Sequence, residues 1–335
     1  MPRPSYFTGM RLLFVSALSL GLFAQTPPKS AVPEDLPAPI TVDVNVVNIL
    51  ASVRDKRNAL VANLDKSDFT ILEDGKPQSI KYFTRETDLP LTIGLLVDVS
   101  RSQENLIGIE RNAASQFFTK VLRKKDEAFL ISFGEESELL QDYTSSPRLL
   151  EEGLNQLRVS SGVGGLHPGP VPTVGQPRGT VLYDAVYLAA SEKLKGEVGR
   201  KVLVLITDGV DQGSRMTRNQ AVEAAQKSDA VIYSIDYQDP GAYGPFGFGG
   251  GGGESELRRM SDETGGRVFK VDRKHTLDEV FQEIQDEMRS QYAIGYTPIN
   301  DARDGSYRRL EVRLSNKDLK AQARKGYYAI KPETR

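Results

Sequence analysis

Leu91-Thr92-Ile93-Gly94-Leu95-Leu96-Val97-Asp98-Val99-Ser100-Arg101-Ser102 joins two chemistries. The first seven residues form an almost unbroken apolar run, the pattern of a short strand buried on both faces of a parallel sheet. The next five supply one carboxylate, Asp98, and two hydroxyls, Ser100 and Ser102. Ligands of open parallel sheets bind outside the carboxyl ends of the strands. The spacing therefore sets three oxygen donors where a site belongs, and predicts a metal site.

Downstream, strands and helices alternate. Ile109, Ala113, Phe117 and Val121 recur every four residues and predict a helix over about 103–122 with one buried stripe. Ala128–Phe133 reads as a second strand. Glu138–Tyr143, after the polar turn Gly134–Ser137, reads as an antiparallel edge strand whose charges discourage further pairing. Pro147–Leu157 is a helix opening on proline, where a missing N–H costs nothing. A Gly/Pro-rich loop, Ser160–Gly179, leads to Thr180 and a helix over 181–195. Lys201–Ile206 is another buried strand, ending in Thr207-Asp208-Gly209. Helix Thr217–Ser228, strand Ala230–Asp236, a second glycine-rich loop Pro240–Gly253, helix 254–264 stopped by Gly265-Gly266, strand Arg267–Val271 and helix 276–290 complete the series. Such alternation predicts an α/β fold, a doubly wound, mostly parallel sheet with helices on both faces.

The flanks follow a two-residue period instead. Thr41–Val53 alternates apolar residues with a change of phase between Val46 and Val47, which predicts a bulge or a strand break. Asp55–Asn58 reads as a turn. Phe69–Glu73, the Asp74-Gly75 turn and Ser79–Phe83 read as a hairpin. Gln291–Thr297, Ser306–Ser315 with Leu310, Val312 and Leu314 on one face, and Ala321–Ile330 read as strands after the last helix. A lone hairpin is marginal. Residues 41–86 and 291–330 are therefore expected to pair into one small antiparallel β domain, into which residues 88–290 are inserted.

The chain has 335 residues, 39% of them hydrophobic and 26% charged, a composition ordinary for a soluble globular protein. Cysteine is absent, which excludes disulfides, thiol catalysis and zinc–thiolate sites. Arg3 and Arg11 precede a short apolar run, Leu12–Ala24, too short to span a bilayer but suited to a signal peptide over 1–24 cleaved after Ala24. A Pro-rich linker over 25–40 follows. The expected product is exported, periplasmic or secreted, with no membrane span after cleavage. The formal net charge of −2 and the lack of a basic stripe with interleaved aromatics argue against nucleic acid.

Asp208 ends a second buried strand and Thr180 sits just before a helix, so Asp98, Ser100, Ser102, Thr180 and Asp208 are expected around one end of the sheet. All five are hard oxygen donors, which points to Mg²⁺, Mn²⁺ or Ca²⁺ and away from zinc or copper. If the hydroxyls bind directly and an aspartate acts through water, the cation is incompletely neutralised and keeps an open position, which an outside carboxylate can fill. Asp184 and Asp211 read as supporting acids or as loop acids, with Asp211 expected to be solvated. His167 and His275 lack a partner spacing for a metal site. Loops 160–179 and 238–253 read either as flexible insertions or as a specificity rim.

With those residues in view, Asp98-x-Ser100-x-Ser102, Thr180 in Gly-Thr-Val-Leu-Tyr-Asp-Ala and Asp208 in Ile-Thr-Asp-Gly resemble the metal-ion-dependent adhesion site of von Willebrand factor type A (VWFA) domains. The resemblance covers about 88–290. Asp68-Phe69-x-x-x-Glu73-Asp-Gly75, Gln291-Tyr-x-Ile-Gly-Tyr296 and Lys325-Gly-Tyr-Tyr328 further resemble a bacterial exported subfamily called VWFA-related. It implies sheet order 3-2-1-4-5-6 with Glu138–Tyr143 on an edge, and a non-enzymatic adhesion or interaction module that holds Mg²⁺ and grips an Asp or Glu carboxylate of a partner protein. The competing expectations are a metal-dependent, phosphoester-directed hydrolase and a structural envelope protein with a vestigial site.

Overall fold

The computed structural model describes residues 46–85, 89–160, 179–239 and 252–330. The signal and linker readings, His167, and most of both glycine-rich loops lie outside the described residues, and the expected phase change at Val46 borders them. Strand β1 (Val47–Arg54) turns Val47, Ile49, Ala51 and Val53 into the core, each at most 5% exposed. The Asp55–Asn58 turn closes with Asn58 N donating to Asp55 O at 3.0 Å, and Asn58 sits at φ 65°. Asparagine tolerates that left-handed backbone because its short polar side chain bonds locally.

β2 (Phe69–Glu73) and β3 (Lys76–Gln78) form a hairpin about Asp74 and Gly75. The predicted second arm, Ser79–Phe83, is corrected. Pairing with β2 ends at Gln78, and β4 (Ile80–Arg85) joins a different sheet. Gln78 and Ile80 keep one buried alternation across the change. Alternation records which face is buried, not which strand lies alongside.

β5 (Leu91–Asp98) is buried at all eight positions. A single 3₁₀ turn at Arg101–Gln103 leads into α1 (Ile107–Val121), which starts later than the spacing predicts. Ile109 is 52% exposed, a correction, and Glu110 occupies the buried face instead. A strict four-residue repeat drifts around a helix of 3.6 residues per turn, so Ile109 leaves the stripe that Ala113, Phe117 and Val121 occupy. β6 (Glu127–Phe133), β7 (Ser137–Thr144) and α2 (Pro147–Leu154) follow. α3 (Leu182–Leu188) continues as a π-helical segment, Ala189–Leu194. Then come β8 (Arg200–Thr207), α4 (Arg218–Lys227), β9 (Ala230–Asp236), α5 (Gly253–Thr264), β10 (Val268–Lys270) and α6 (Leu277–Arg289). Sheet order is β10-β9-β8-β5-β6-β7, with β7 antiparallel on the edge and the other neighbours parallel. The fold is the doubly wound α/β class that the alternation predicts, with β5 and β8 at its centre.

β11 (Tyr292–Tyr296), β12 (Tyr307–Leu314), β13 (Lys320–Ala323) and β14 (Gly326–Tyr328) complete the chain. With the first four strands they build two antiparallel sheets, β13-β1-β11-β4 and β14-β12-β2-β3. The single strand expected over Ala321–Ile330 is thus two short strands in different sheets. Ile49, Ile71, Tyr292, Ile294, Leu310 and Tyr327 form the core they share. Buried Glu73 accepts hydrogen bonds from the Tyr296 and Tyr327 hydroxyls there.

Glu287 of α6 ties these sheets to the α/β portion. Its fully buried carboxylate accepts from Ser52 Oγ at 2.9 Å, Arg54 Nη2 at 2.6 Å and Arg267 Nε at 2.9 Å. Phe281 of the same helix stacks on Phe117 of α1 with ring centroids 4.5 Å apart. Among the described residues no helix is long and apolar enough to cross a membrane.

Candidate metal centre

β5 and β8 run parallel and in register, Val97 beside Ile206, so both carry their acids out at the same end of the sheet. Immediately past β5 the Asp98 side chain bends the chain back, its Oδ1 accepting from Ser100 N at 2.9 Å. Gln103 N donating to Ser100 O at 2.9 Å closes the turn and brings Ser102 round. Ser100 Oγ and Ser102 Oγ lie 3.0 Å apart, and Ser102 Oγ donates to Asp208 Oδ2 at 2.7 Å. Val210 N donates to Asp208 Oδ1 at 3.1 Å. Gly209 is required in this loop: its φ is 78°, and a Cβ there would stand 2.5 Å from Gly253 O.

Asp98, Ser100, Ser102 and Asp208 thus share one hydrogen-bonded chain. Thr180 is held beside the loop that follows Asp208 by its backbone, its carbonyl accepting from Gln212 N at 3.0 Å and Gly213 N at 3.1 Å. Val181 N donates to Gly134 O at 2.9 Å, which fixes the other side of Thr180 to the end of β6.

Burial pushes the Asp98 carboxyl up to about 7, the neighbouring Asp208 charge adding to it while hydrogen bonds from Ser100 and Thr207 oppose it. Glu110, also fully buried, is raised well above the carboxylate range by burial and then by the Asp98 charge. Neither Glu110 carboxyl oxygen has a hydrogen-bond partner, nor has Gln103 Oε1 or Asp236 Oδ2. Burial also raises Asp236, opposed by its bond from Gln238 and by the Lys270 charge, with Glu254 and Asp208 adding smaller contributions. Unpartnered buried acceptors are uncommon in folded proteins. Here they accompany two acids at one strand-end cluster, and a cation that reaches it, Lys270, is itself exposed and stands 3.9 Å from Asp236 Oδ2. Two carboxylates and three hydroxyls, all oxygen, fit a hard divalent cation of the Mg²⁺, Mn²⁺ or Ca²⁺ kind. Among the described residues no group of three or more His, Cys, Asp or Glu side chains is arranged for a metal ion, so this centre is distinguished by its hydroxyls.

Two residues escape the sequence reading. Thr207 Oγ1 donates to Asp98 Oδ2 at 2.6 Å and accepts from Gly209 N at 3.0 Å. A hydroxyl closing an apolar strand just before Asp208 is its signal. Glu110 is marked by the 3.6-residue pattern of Ile107, Ala114, Phe117 and Val121, which runs through it. Asp211 is not solvated, a correction: it is half-buried, and its Oδ1 accepts from Ser214 Oγ at 2.5 Å and Tyr183 N at 3.2 Å, tying the loop to the start of α3. Asp184 accepts from Arg215 N at 3.0 Å and Met216 N at 2.7 Å in the same loop. His275 is far from a metal role, its Nε2 lying 2.8 Å from Glu283 Oε1.

No protein-family model matches the chain, and no curated protein matches it. Solved structures do. BatB, a conserved hypothetical protein from Bacteroides thetaiotaomicron, is 16% identical over 59% of this chain and 97% of its own, with a TM-score of 0.44. Proximal thread matrix protein 1 from the mussel byssus, solved with a zinc-occupied MIDAS motif, is 14% identical over 65% of this chain and 50% of its own, TM-score 0.46. A von Willebrand factor type A structure from Catenulispora acidiphila is 14% identical over 73% of this chain and 50% of its own, TM-score 0.42. The chain spans about half the length of the last two. Likeness at this level says nothing of the site's chemistry.

Proposed function

We propose that this protein is an exported, divalent-cation-dependent interaction module of the VWFA kind, which captures an Asp or Glu carboxylate of a partner protein. The observation that carries the reading is the hydrogen-bonded chain Asp98–Ser100–Ser102–Asp208 across the ends of two adjacent buried strands. Asp98, Ser100, Ser102, Thr180 and Asp208 would hold the cation, Mg²⁺ first with Mn²⁺ or Ca²⁺ as substitutes. The bound cation would supply a position open to an outside carboxylate. Thr207 and the Ser100 N–H hold the Asp98 carboxylate in place, and the bend they enforce orients both serine hydroxyls. With the hydroxyls binding directly and one aspartate acting through water, a divalent ion would stay incompletely neutralised, which favours capture of a further anion over a closed structural site.

The role proposed is binding rather than turnover. Titration calorimetry with Mg²⁺ on the protein and on Asp98→Ala tests it. Heat in the first and none in the second is expected; equal heats would remove the metal from the account. Hydrolysis of generic phosphoesters that vanishes in Asp208→Ala would replace the binding module with an enzyme.

A further inference from the structure

At the seam between the antiparallel sheets and the α/β portion lies a cleft of about 420 Å³, lined by Arg54, Asp55, Lys56, Asn58, Arg267, Lys320, Ala321 and Gln322. Its volume falls within the range of small-molecule sites, about 300–1,000 Å³. Four of the lining side chains are cationic and one is acidic.

The cations are built in rather than scattered. Arg54 and Arg267 both bond the one buried Glu287 carboxylate, at 2.6 and 2.9 Å, which anchors the two guanidiniums side by side, Arg267 also meeting the part-exposed Glu283. Arg54 is fixed further by Nη1 donating to Asn58 O at 2.7 Å. Arg267 uses Nε on Glu287 and Nη2 on Glu283, and its guanidinium lies 4.0 Å over the Phe269 ring, which leaves Nη1 for another acceptor. Lys320 makes no ion pair among the described residues. Lys56 pairs with Asp318 at 2.7 Å, but both are about 70% exposed, and such a pair exchanges readily because it contributes little. Asp55 spends its Oδ1 on the turn, accepting from Arg57 N and Ala59 N.

We infer that this cleft binds an oxyanion of the phosphate class, either free or as the charged end of a larger molecule. A planar guanidinium held by its far side presents its remaining N–H to a tetrahedral oxyanion, and the two lysines supply point charges at the rim. The cleft shares no residue with the candidate metal centre, so the inference stands apart from the function proposed above.

The test is titration of the protein with inorganic phosphate at constant ionic strength set by chloride, with a chelator present so that no cation mediates binding. Melting temperature and calorimetry are the readouts. Wild-type protein should melt higher in phosphate than in chloride, because a ligand specific for the folded state stabilises it. Lys320→Glu, at an exposed position, should keep the chloride melting temperature and bind phosphate about tenfold more weakly, equivalent to about 1.4 kcal/mol. Lys56→Glu gives the same reading should the first variant fold poorly, and Asp98→Ala should leave phosphate binding unchanged. Acetate in place of phosphate tells a carboxylate site from a phosphate site, and stronger binding of acetate overturns the inference. So does a wild-type protein indifferent to phosphate, or variants that respond as strongly as wild type. A phosphate monoester that binds more tightly than free phosphate would identify the charged end of a larger ligand.

Discussion

Thr207 Oγ1 donates a 2.6 Å hydrogen bond to Asp98 Oδ2, joining the last residue of β8 to the last residue of β5. The bond favours the ionised form of a fully buried carboxyl. Thr207→Val keeps the side chain's shape and removes the donor. A buried acceptor deprived of its partner costs about 1–3 kcal/mol, so the urea midpoint should fall. Losing a bond to the charged form also raises the Asp98 pKa further. Mg²⁺ binding, followed calorimetrically against pH, should then begin at higher pH than in wild type. A variant whose binding profile coincides with wild type would mean that Thr207 does not tune Asp98.

The pH dependence of the whole protein follows from the same acid. Asp98 sits at about 7 in the folded chain against an ordinary value of 3.8, so between these values the folded state holds the proton that the unfolded state has released. More protons bound in the native state means that stability declines as pH rises through this window, by about 4 kcal/mol over the full span. Glu110 is shifted the same way and steepens the decline. A cation bound by Asp98 must displace that proton below pH 7. Its affinity should therefore climb about tenfold per pH unit from 5 to 7 and level off above. Denaturation without metal and Mg²⁺ titrations across pH 5–8.5 check both arms. Stability that rises over that range in the metal-free protein would contradict the assignment.

Glu287 is the charge on which the seam depends. Glu287→Gln keeps the size and leaves the Arg54 and Arg267 guanidiniums facing a neutral amide in a buried setting. Breaking a buried pair by removing one partner typically costs about 3–5 kcal/mol. Urea unfolding should show a loss of that order, larger than for Glu311→Gln, whose pair with Arg313 is exposed on both sides. Equal small losses in the two variants would show that the seam holds without the buried charge.

Much of this was legible along the chain because its cues are local. The apolar run 91–97 ending in Asp98, and the two-residue steps to Ser100 and Ser102, encode a buried strand and the turn after it. Asp208 could be placed because it ends a second run of the same kind. What escaped depended on packing partners. The sheet change at Ser79 leaves no mark, since Gln78 and Ile80 alternate as one strand would. Glu110 was hidden because a charged side chain stands where the helix buries its stripe. Asp211, in a polar loop, is half-buried only because the first turn of α3 and Ser214 close over it.

Gly94, in the middle of β5, couples packing to the candidate centre. A Cβ built there would lie 2.3 Å from Phe129 Cζ and 2.7 Å from Leu203 Cδ2, on the strands at either side. The Phe129 ring has little freedom to yield, since Tyr143 packs edge-on against it with centroids 5.4 Å apart. Overpacking of this kind costs about 1–3 kcal/mol in a well-filled core. Asp98 lies four residues further along the same strand, so on the two-residue period it shares Gly94's face. Displacement of β5 should therefore reach the site. Gly94→Ala is expected to lower the melting temperature and to weaken Mg²⁺ binding together. Adding Phe129→Leu makes room for the methyl group and should restore part of both, a non-additive result that contacting residues give and distant ones do not. Strictly additive losses in the double variant would mean that the ring is not what the alanine strikes.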